Sequence, residues 1–152
     1  MFGSTLEPQR LPWSWAVERL VEARTYWIAT TRPDGRPHAR PVWAAWIDGS
    51  LNFSTGSLAA GNLAANPAIT VHLEIDPEVV ILEGTAAEIT DRAELQGVLD
   101  AYNLKYGENL TVDTLPGPFL RVIAERAFGW IAAGDASDGG AQFHGTATRW
   151  RF

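Results

Sequence analysis

Residues 69–89 read ITVHLEIDPEVVILEGTAAEI. Ile69, Val71, Leu73 and Ile75 alternate with Thr70, His72 and Glu74, the period-2 pattern of a strand with one buried face. Asp76-Pro77-Glu78 turns the chain. Val79 to Ile89 predicts a second, longer strand. Gly84 within it marks a bulge or bend, because glycine weakens a strand unless the backbone must kink or approach another chain segment closely. Two strands joined by so short a turn run antiparallel.

The same grammar extends in both directions. Upstream, Tyr26–Thr31 is β-prone, Pro33-Asp34-Gly35-Arg36 is a turn, and His38 to Ile47 reads as a strand. Asp48-Gly49 marks a hairpin, and Leu51 to Thr55 returns. Trp13 to Ala23 predicts a helix capped by Ser14, with Trp13, Val17, Leu20 and Val21 on its apolar face. Downstream, Asp91-Arg92-Ala93-Glu94 is a capping-box variant opening a helix to about Lys105, striped with Leu95, Val98, Leu99 and Tyr102. Leu110 to Pro118 reads as a loop. Phe119 to Ile131 reads as a strand, with Leu120, Val122, Ala124, Phe128 and Trp130 largely on one face. The stretch 134–140, GDASDGG, has loop composition. Gln142 to Phe152 reads as a last strand. Strands this numerous, joined by short turns, tend to close into a barrel, here with three helical insertions.

The 152 residues suffice for one domain with its own core, and no linker or repeat divides residues 1–152. Residues 1–12 read as an N-terminal arm. A net charge of −6 with no basic run argues against nucleic acid as a partner. The absence of cysteine excludes disulfides, Cys-ligated metal and thiol catalysis. No apolar run is long enough to cross a bilayer and no signal pattern opens the chain, so no membrane partner and a cytoplasmic location are expected. Seven Trp residues point to a subunit contact or a ligand wall. The basic residues are nearly all Arg, with Lys105 the only Lys.

Chemistry-bearing patterns are few. His38, His72 and His144 form no metal-binding pair, and Asp135 and Asp138 lack the spacing of a calcium loop, so no metal is expected. No G-x-S-x-G elbow surrounds Ser54 or Ser57. Residues 53–67, FSTGSLAAGNLAANP, carry more. A strand-like Phe53-Ser54-Thr55 runs through Gly56-Ser57 into an alanine-rich helix. Ser57 stands at the cap, and free N–H groups with the positive end of the helix dipole can receive a phosphate. The stretch contains neither Lys nor Arg. Arg40 lies on PHARPVWAAW, a strand that also carries Trp43 and Trp46, where it either flanks a planar anion or covers an indole at the surface. In the C-terminal TRWRF, alternation puts Arg149 and Arg151 on one face and Trp150 on the other.

RPDGRPHARPVW, FSTGSLAAGNLAANP, VVILEGTAAEI and TATRWRF occur in that order, and together they resemble the pyridoxamine 5′-phosphate oxidase-like split-barrel proteins. The resemblance runs from about Trp13 to Phe152, with the flavin/deazaflavin (coenzyme F420) oxidoreductases as the nearest branch. It implies a mainly β (α+β) fold, a six-stranded antiparallel split β-barrel. It also implies a homodimer with coenzyme F420 or FMN in a groove at the interface. The positions matching the family's cofactor strand are Arg40, Pro41, Val42 and Trp43. Those matching its phosphate and ribityl end are Ser54, Thr55, Ser57 and Asn62. Arg149 and Trp150 match residues that approach the pocket from the partner chain. The activity implied is hydride transfer between cofactor and a small organic acceptor, with no catalytic side chain assigned. This chain departs from the family where relatives carry basic residues at the helix start: Ala59 and Gly61 stand there. That departure admits a second function class, a split-barrel binding protein that holds haem, another tetrapyrrole or an apolar ligand.

Overall fold

The computed structural model describes residues 9–133, 137 and 140–152, with Ala141 described through its backbone alone. In chain order the elements are α1 (Trp13–Glu22), β1 (Tyr26–Thr31), β2 (Pro37–Val42), β3 (Ala44–Ile47), β4 (Ser50–Ser54) and α2 (Leu58–Ala65). There follow β5 (Ala68–Leu73), β6 (Glu78–Glu88), α3 (Arg92–Tyr106), β7 (Phe119–Ile131), α4 (Ala141–Thr146) and β8 (Thr148–Arg151). Residues 1–8 of the expected arm, and Asp135 and Asp138, lie outside the described residues.

The 69–89 stretch folds as read. β5 and β6 pair antiparallel, with Ile69, Val71 and Leu73 buried. Gly84 sits at a bulge: Glu83 pairs with Arg126 and Gly84 with Ala124, which leaves Glu125 unopposed. A Cβ on Gly84 would stand 2.0 Å from the Ile123 carbonyl oxygen, so only glycine fits. The extra residue reverses the phase of β7. Leu120 and Val122 face the core before the bulge, and Ala127 and Gly129 face it afterwards. Phe128 and Trp130 therefore do not share the face of Leu120, against the simple alternation read from the sequence.

The strand order is β2-β1-β5-β6-β7-β4-β3, antiparallel throughout, with β8 paired to β7. β2 and β3 stand at opposite ends of this order, yet only Trp43 separates them in sequence. The sheet must curl until its ends meet at that residue. This gives the split barrel, with its seam at a corner where one segment leaves β1 and joins β4. The sheet has eight strands where six were expected. The corner divides His38–Ile47 into β2 and β3, and β8 is added beside β7, outside the closed order.

The barrel interior is filled by Tyr26, Ile28, Leu51, Phe53, Val80 and Leu82, all at most 1% exposed. α1 contributes Ala16 and Leu20 to this core. Two readings of α1 are corrected. Its N-cap is Pro12, whose carbonyl accepts from Trp15 N at 3.0 Å, so Ser14 is the second residue of the helix and exposed. Val21 is 51% exposed, because Ala16, Leu20 and Ala23 set the inward face. A second core lies between α3 and β3, with Leu95, Val98, Leu99 and Tyr102 buried as the stripe predicts. Asp91 caps α3 by accepting from Glu94 N at 2.8 Å, and Gly107 ends it in the left-handed conformation at φ 69°.

The expected strand from Gln142 begins only at Thr148. Residues 141–146 form a short helix instead, with His144 N donating to Gly140 O and Ala147 N to Phe143 O. Thr146 fixes it by accepting from Ile131 N at 2.9 Å and donating to Gln142 O at 2.8 Å. No described helix is long and apolar enough to cross a membrane.

Candidate cofactor site

β2 runs along β1 with Thr30 opposite His38 and Ile28 opposite Arg40. Residues directly opposite in an antiparallel ladder point to the same face. His38 and Arg40 therefore share the inward side with Ile28 and Thr30, while Ala39 and Pro41 face outward and are exposed. Both inward side chains carry an orphan: His38 Nδ1 and Arg40 Nε are buried without a hydrogen-bond partner. Leaving a buried polar atom unpaired costs about 1–3 kcal/mol, so two together on one strand face mark a place built to meet polar atoms from elsewhere. Arg40 has no ion pair with any described residue, whereas Arg19, Arg36, Arg92, Arg121 and Arg126 each have at least one.

α2 closes the same region. Asn62, 1% exposed, donates from Nδ2 to Thr30 Oγ1 at 3.0 Å, which ties the helix to the strand residue opposite His38. Asn62 thus reaches β1 from α2 at the residue opposite His38, two residues along β1 from Ile28, which lies opposite Arg40. Asn62 itself faces inward and holds the fold.

The turn before α2 is internally bonded. Ser54 Oγ donates to Pro118 O at 3.0 Å. Thr55 Oγ1 and Ser57 Oγ lie 2.9 Å apart, and Ser57 Oγ accepts from Ala59 N at 3.3 Å as the helix cap. Gly56 and Gly117 pack backbone to backbone, since a Cβ on Gly117 would come within 3.3 Å of Gly56 Cα. The expected phosphate residues Ser54, Thr55 and Ser57 therefore form one cluster. At the two positions that depart from the family, the side chains differ in outlook. Ala59 is 0% exposed in the barrel core, while a Cβ on Gly61 meets nothing within 4 Å. A cation at position 61 would reach outward, and one at 59 would be driven into the core.

Val42 is buried, and Trp43, at the barrel corner, is 42% exposed. Its indole stacks on Tyr106 with 4.6 Å between centroids and 3° between planes. Around this stack lies a cluster that sequence reading missed. Tyr106 OH donates to Ala44 O at 2.8 Å and accepts from Ala44 N at 3.0 Å. Lys105 Nζ donates to Tyr26 OH at 2.8 Å and to Ala44 O at 3.0 Å. The Arg24 guanidinium lies 5.6 Å from the Trp43 ring centroid and 5.3 Å from that of Tyr106. Burial lowers Lys105 to about 8, with the Arg24 charge adding to the effect. Burial raises Tyr26 and Tyr106, and pushes Tyr102 up to about 12. The available signal was the position of the lone lysine beside the Tyr102–Tyr106 edge of the apolar stripe.

At the C-terminus the alternation holds: Arg149 and Arg151 are exposed and Trp150 is half-buried. Trp150 packs within its own chain, 5.3 Å from Trp13 and against Gly129, where a Cβ would meet its ring at 2.8 Å. Arg149 lines an open cleft of about 350 Å³ with Arg10, Phe128, Trp130 and Thr148.

A family model, pyridoxamine 5′-phosphate oxidase, matches residues 16–138. No curated protein sequence matches the chain. Among solved structures, a conserved hypothetical protein of Mycobacterium tuberculosis is similar at 24% identity and TM-score 0.69, over 84% of this chain and 94% of that one. A protein described as F420 reductase is similar at 25% identity and TM-score 0.57, over 72% of this chain and 94% of that one. A heme binding protein from Mycobacterium smegmatis is similar at 19% identity and TM-score 0.65, over 78% of this chain and 54% of that one. With the barrel seam and the matched span in agreement, the chain belongs to the pyridoxamine 5′-phosphate oxidase family of split-barrel proteins.

Proposed function

We propose that the protein is an oxidoreductase that transfers hydride between coenzyme F420 or FMN and an organic acceptor, acting in the cytoplasm as a homodimer with the cofactor groove at the subunit interface. The observation that carries this reading is the pair of buried, unpartnered nitrogens on β2, His38 Nδ1 and Arg40 Nε. A flavin or deazaflavin presents carbonyl oxygens, ring nitrogens and a phosphate, the polar edge such orphans call for. The residues present therefore fit such a group. Arg40 and the neighbouring β2 positions Pro41, Val42 and Trp43 would hold its ring and tail. Ser54, Thr55, Ser57 and the α2 N-terminus would receive its phosphate end, with the exposed Arg149, set by the packed Trp150 beside it, offered to the partner's groove. When bound, the cofactor supplies the hydride chemistry. The chain's contribution is to orient and to set charge: Arg40 has no carboxylate neighbour to neutralise it, and the α2 dipole favours an anion.

The test is a fluorescence titration of purified protein with F420 and with FMN. Saturable binding of one of them is expected, weakened about tenfold or more by Arg40→Ala, the loss of one charge-assisted hydrogen bond. No saturation by either at high micromolar concentration sinks the assignment.

One observation favours the second reading, a non-catalytic binding protein for haem or another tetrapyrrole. The α2 start carries Leu58, Ala59 and Gly61, none of them charged, and a similar fold is described as heme binding. Haemin titration with a saturable Soret shift, alongside silence with F420 and FMN, would select it.

A further inference from the structure

The cofactor reading leaves one reactive group unused. Lys105 supplies the only side-chain amine in the chain. α3 carries it to the barrel corner, where it is half-buried with Nζ 4.9 Å from the Tyr26 ring centroid and 5.3 Å from that of Tyr106. It has no ion pair with any described residue.

The Tyr26 hydroxyl spends its one proton on Leu20 O, so its oxygen can only accept from Lys105. The Ala44 carbonyl likewise only accepts. Two acceptors match the two N–H bonds of a neutral amine and leave its lone pair unspent. An ammonium would turn its third N–H to water, since the described residues offer only these two acceptors. Burial beside Arg24 disfavours the charged form, so the nucleophilic amine is reached at lower pH than in an ordinary lysine.

Two further groups surround the Tyr106 ring that the amine faces. Arg24 is exposed and has no ion pair among the described residues. Trp43 has one ring face on Tyr106 and is 42% exposed. A cation without a carboxylate, a part-exposed indole and an amine that gives up its proton more readily than an ordinary lysine share one corner.

We propose that Lys105 is a carbonyl-condensing amine, which forms a Schiff base with a planar aldehyde bearing an anionic group, with Arg24 holding the anion and Trp43 stacking on the plane. The Nζ lone pair attacks the carbonyl carbon, and the C=O π electrons go to oxygen, which takes up a proton from the amine nitrogen. The carbinolamine then loses water as the C=N bond forms, so aldehyde and amine give imine and water with no oxidant or reductant. A lysine that merely pins α3 to β1 and β3 would show no preference for such an aldehyde.

The experiment uses the full chain without cofactor, so its outcome is separate from that of the hydride-transfer reading. The protein is incubated with 4-carboxybenzaldehyde or with benzaldehyde, reduced with borohydride, digested and analysed by mass spectrometry. The N-terminal amine, whose ordinary pKa is about 8, serves as the internal reference. The ratio of adduct at Lys105 to adduct at the N-terminus is expected to be about tenfold higher for the carboxylated aldehyde, the worth of one charge-assisted hydrogen bond. Arg24→Gln should erase that difference, and Trp43→Ala should lower the ratio for both aldehydes. Lys105→Arg keeps a donor at this position and should leave only the N-terminal adduct. An unlabelled Lys105, or an equal ratio for both aldehydes in the unaltered protein, overturns the proposal.

Discussion

Asn62 Nδ2 and Thr30 Oγ1 meet at 3.0 Å with the two residues 1% and 3% exposed. This contact anchors α2 to β1 beneath the β2 face that carries the orphaned nitrogens. Asn62→Ala leaves the Thr30 hydroxyl without this donor, at an expected cost of about 1–3 kcal/mol. Thr30→Val combined with Asn62→Leu should recover part of that loss, because an apolar pair leaves nothing unpaired. Urea unfolding of the three variants measures this, and equal stability of Asn62→Ala and the parent would refute it.

Two glycines make a contrast. A Cβ on Gly84 would overlap the Ile123 carbonyl, and one on Gly61 would meet nothing. Gly84→Ala is expected to destabilise by about 1–3 kcal/mol or more through forced backbone shifts. Gly61→Ala, in the interior of α2, should stabilise by about 0.5–1 kcal/mol. Thermal unfolding should therefore move in opposite directions for the two.

Arg19 joins α1 to β6 by two bonds to Glu78, Nε to Oε2 at 2.8 Å and Nη2 to Oε1 at 2.7 Å. The hydrogen bonds from Arg19 hold the Glu78 carboxyl below its ordinary range. Its folded-state pKa is thus below the unfolded value. Its contribution is fully present above the ordinary glutamate range and is lost as pH falls through the folded pKa. Glu78→Gln should flatten the acid limb of the stability curve and cost about 1 kcal/mol at neutral pH. An unchanged acid limb would count against the assignment.

Lys105 carries the opposite sign. Its folded pKa of about 8 lies below that of an unfolded lysine, so the unfolded state binds more protons between about 8 and 10. Stability should rise with pH across that window. Above about 10 the buried tyrosines, raised by burial, reverse the slope, because unfolded tyrosine loses its proton first. Lys105→Arg, charged throughout, should abolish the rise. Denaturation midpoints from pH 7 to 11 decide it.

Much of the site was legible as types and positions. The alternation in 69–75, the glycine bulge, the Ser57 cap and the Asp91 cap are local features, and local chemistry reports on them directly. Arg40 stood out for the same reason, as a charge on a strand of apolar and aromatic residues. The reading failed where one residue changed the phase or direction of many. Glu125 rotates the rest of β7, and Trp43 turns one strand into two. Neither residue carries a signal of its own, because bulges and corners are set by the partner strands.

The sequence by itself determined the antiparallel character of the chain, the Ser57 and Asp91 caps, the turns and the apolar faces of β5 and α3. These depend on contacts within a few residues, and periodicity encodes them. The tertiary structure alone decided that β2 and β3 meet as the two ends of a curled sheet. It also decided that His38 and Arg40 face inward unpaired, and that Lys105 lies among Tyr26, Ala44 and Arg24. Those relationships join residues distant along the chain. Burial, which removes water as the default partner of each polar atom, gives them their chemistry.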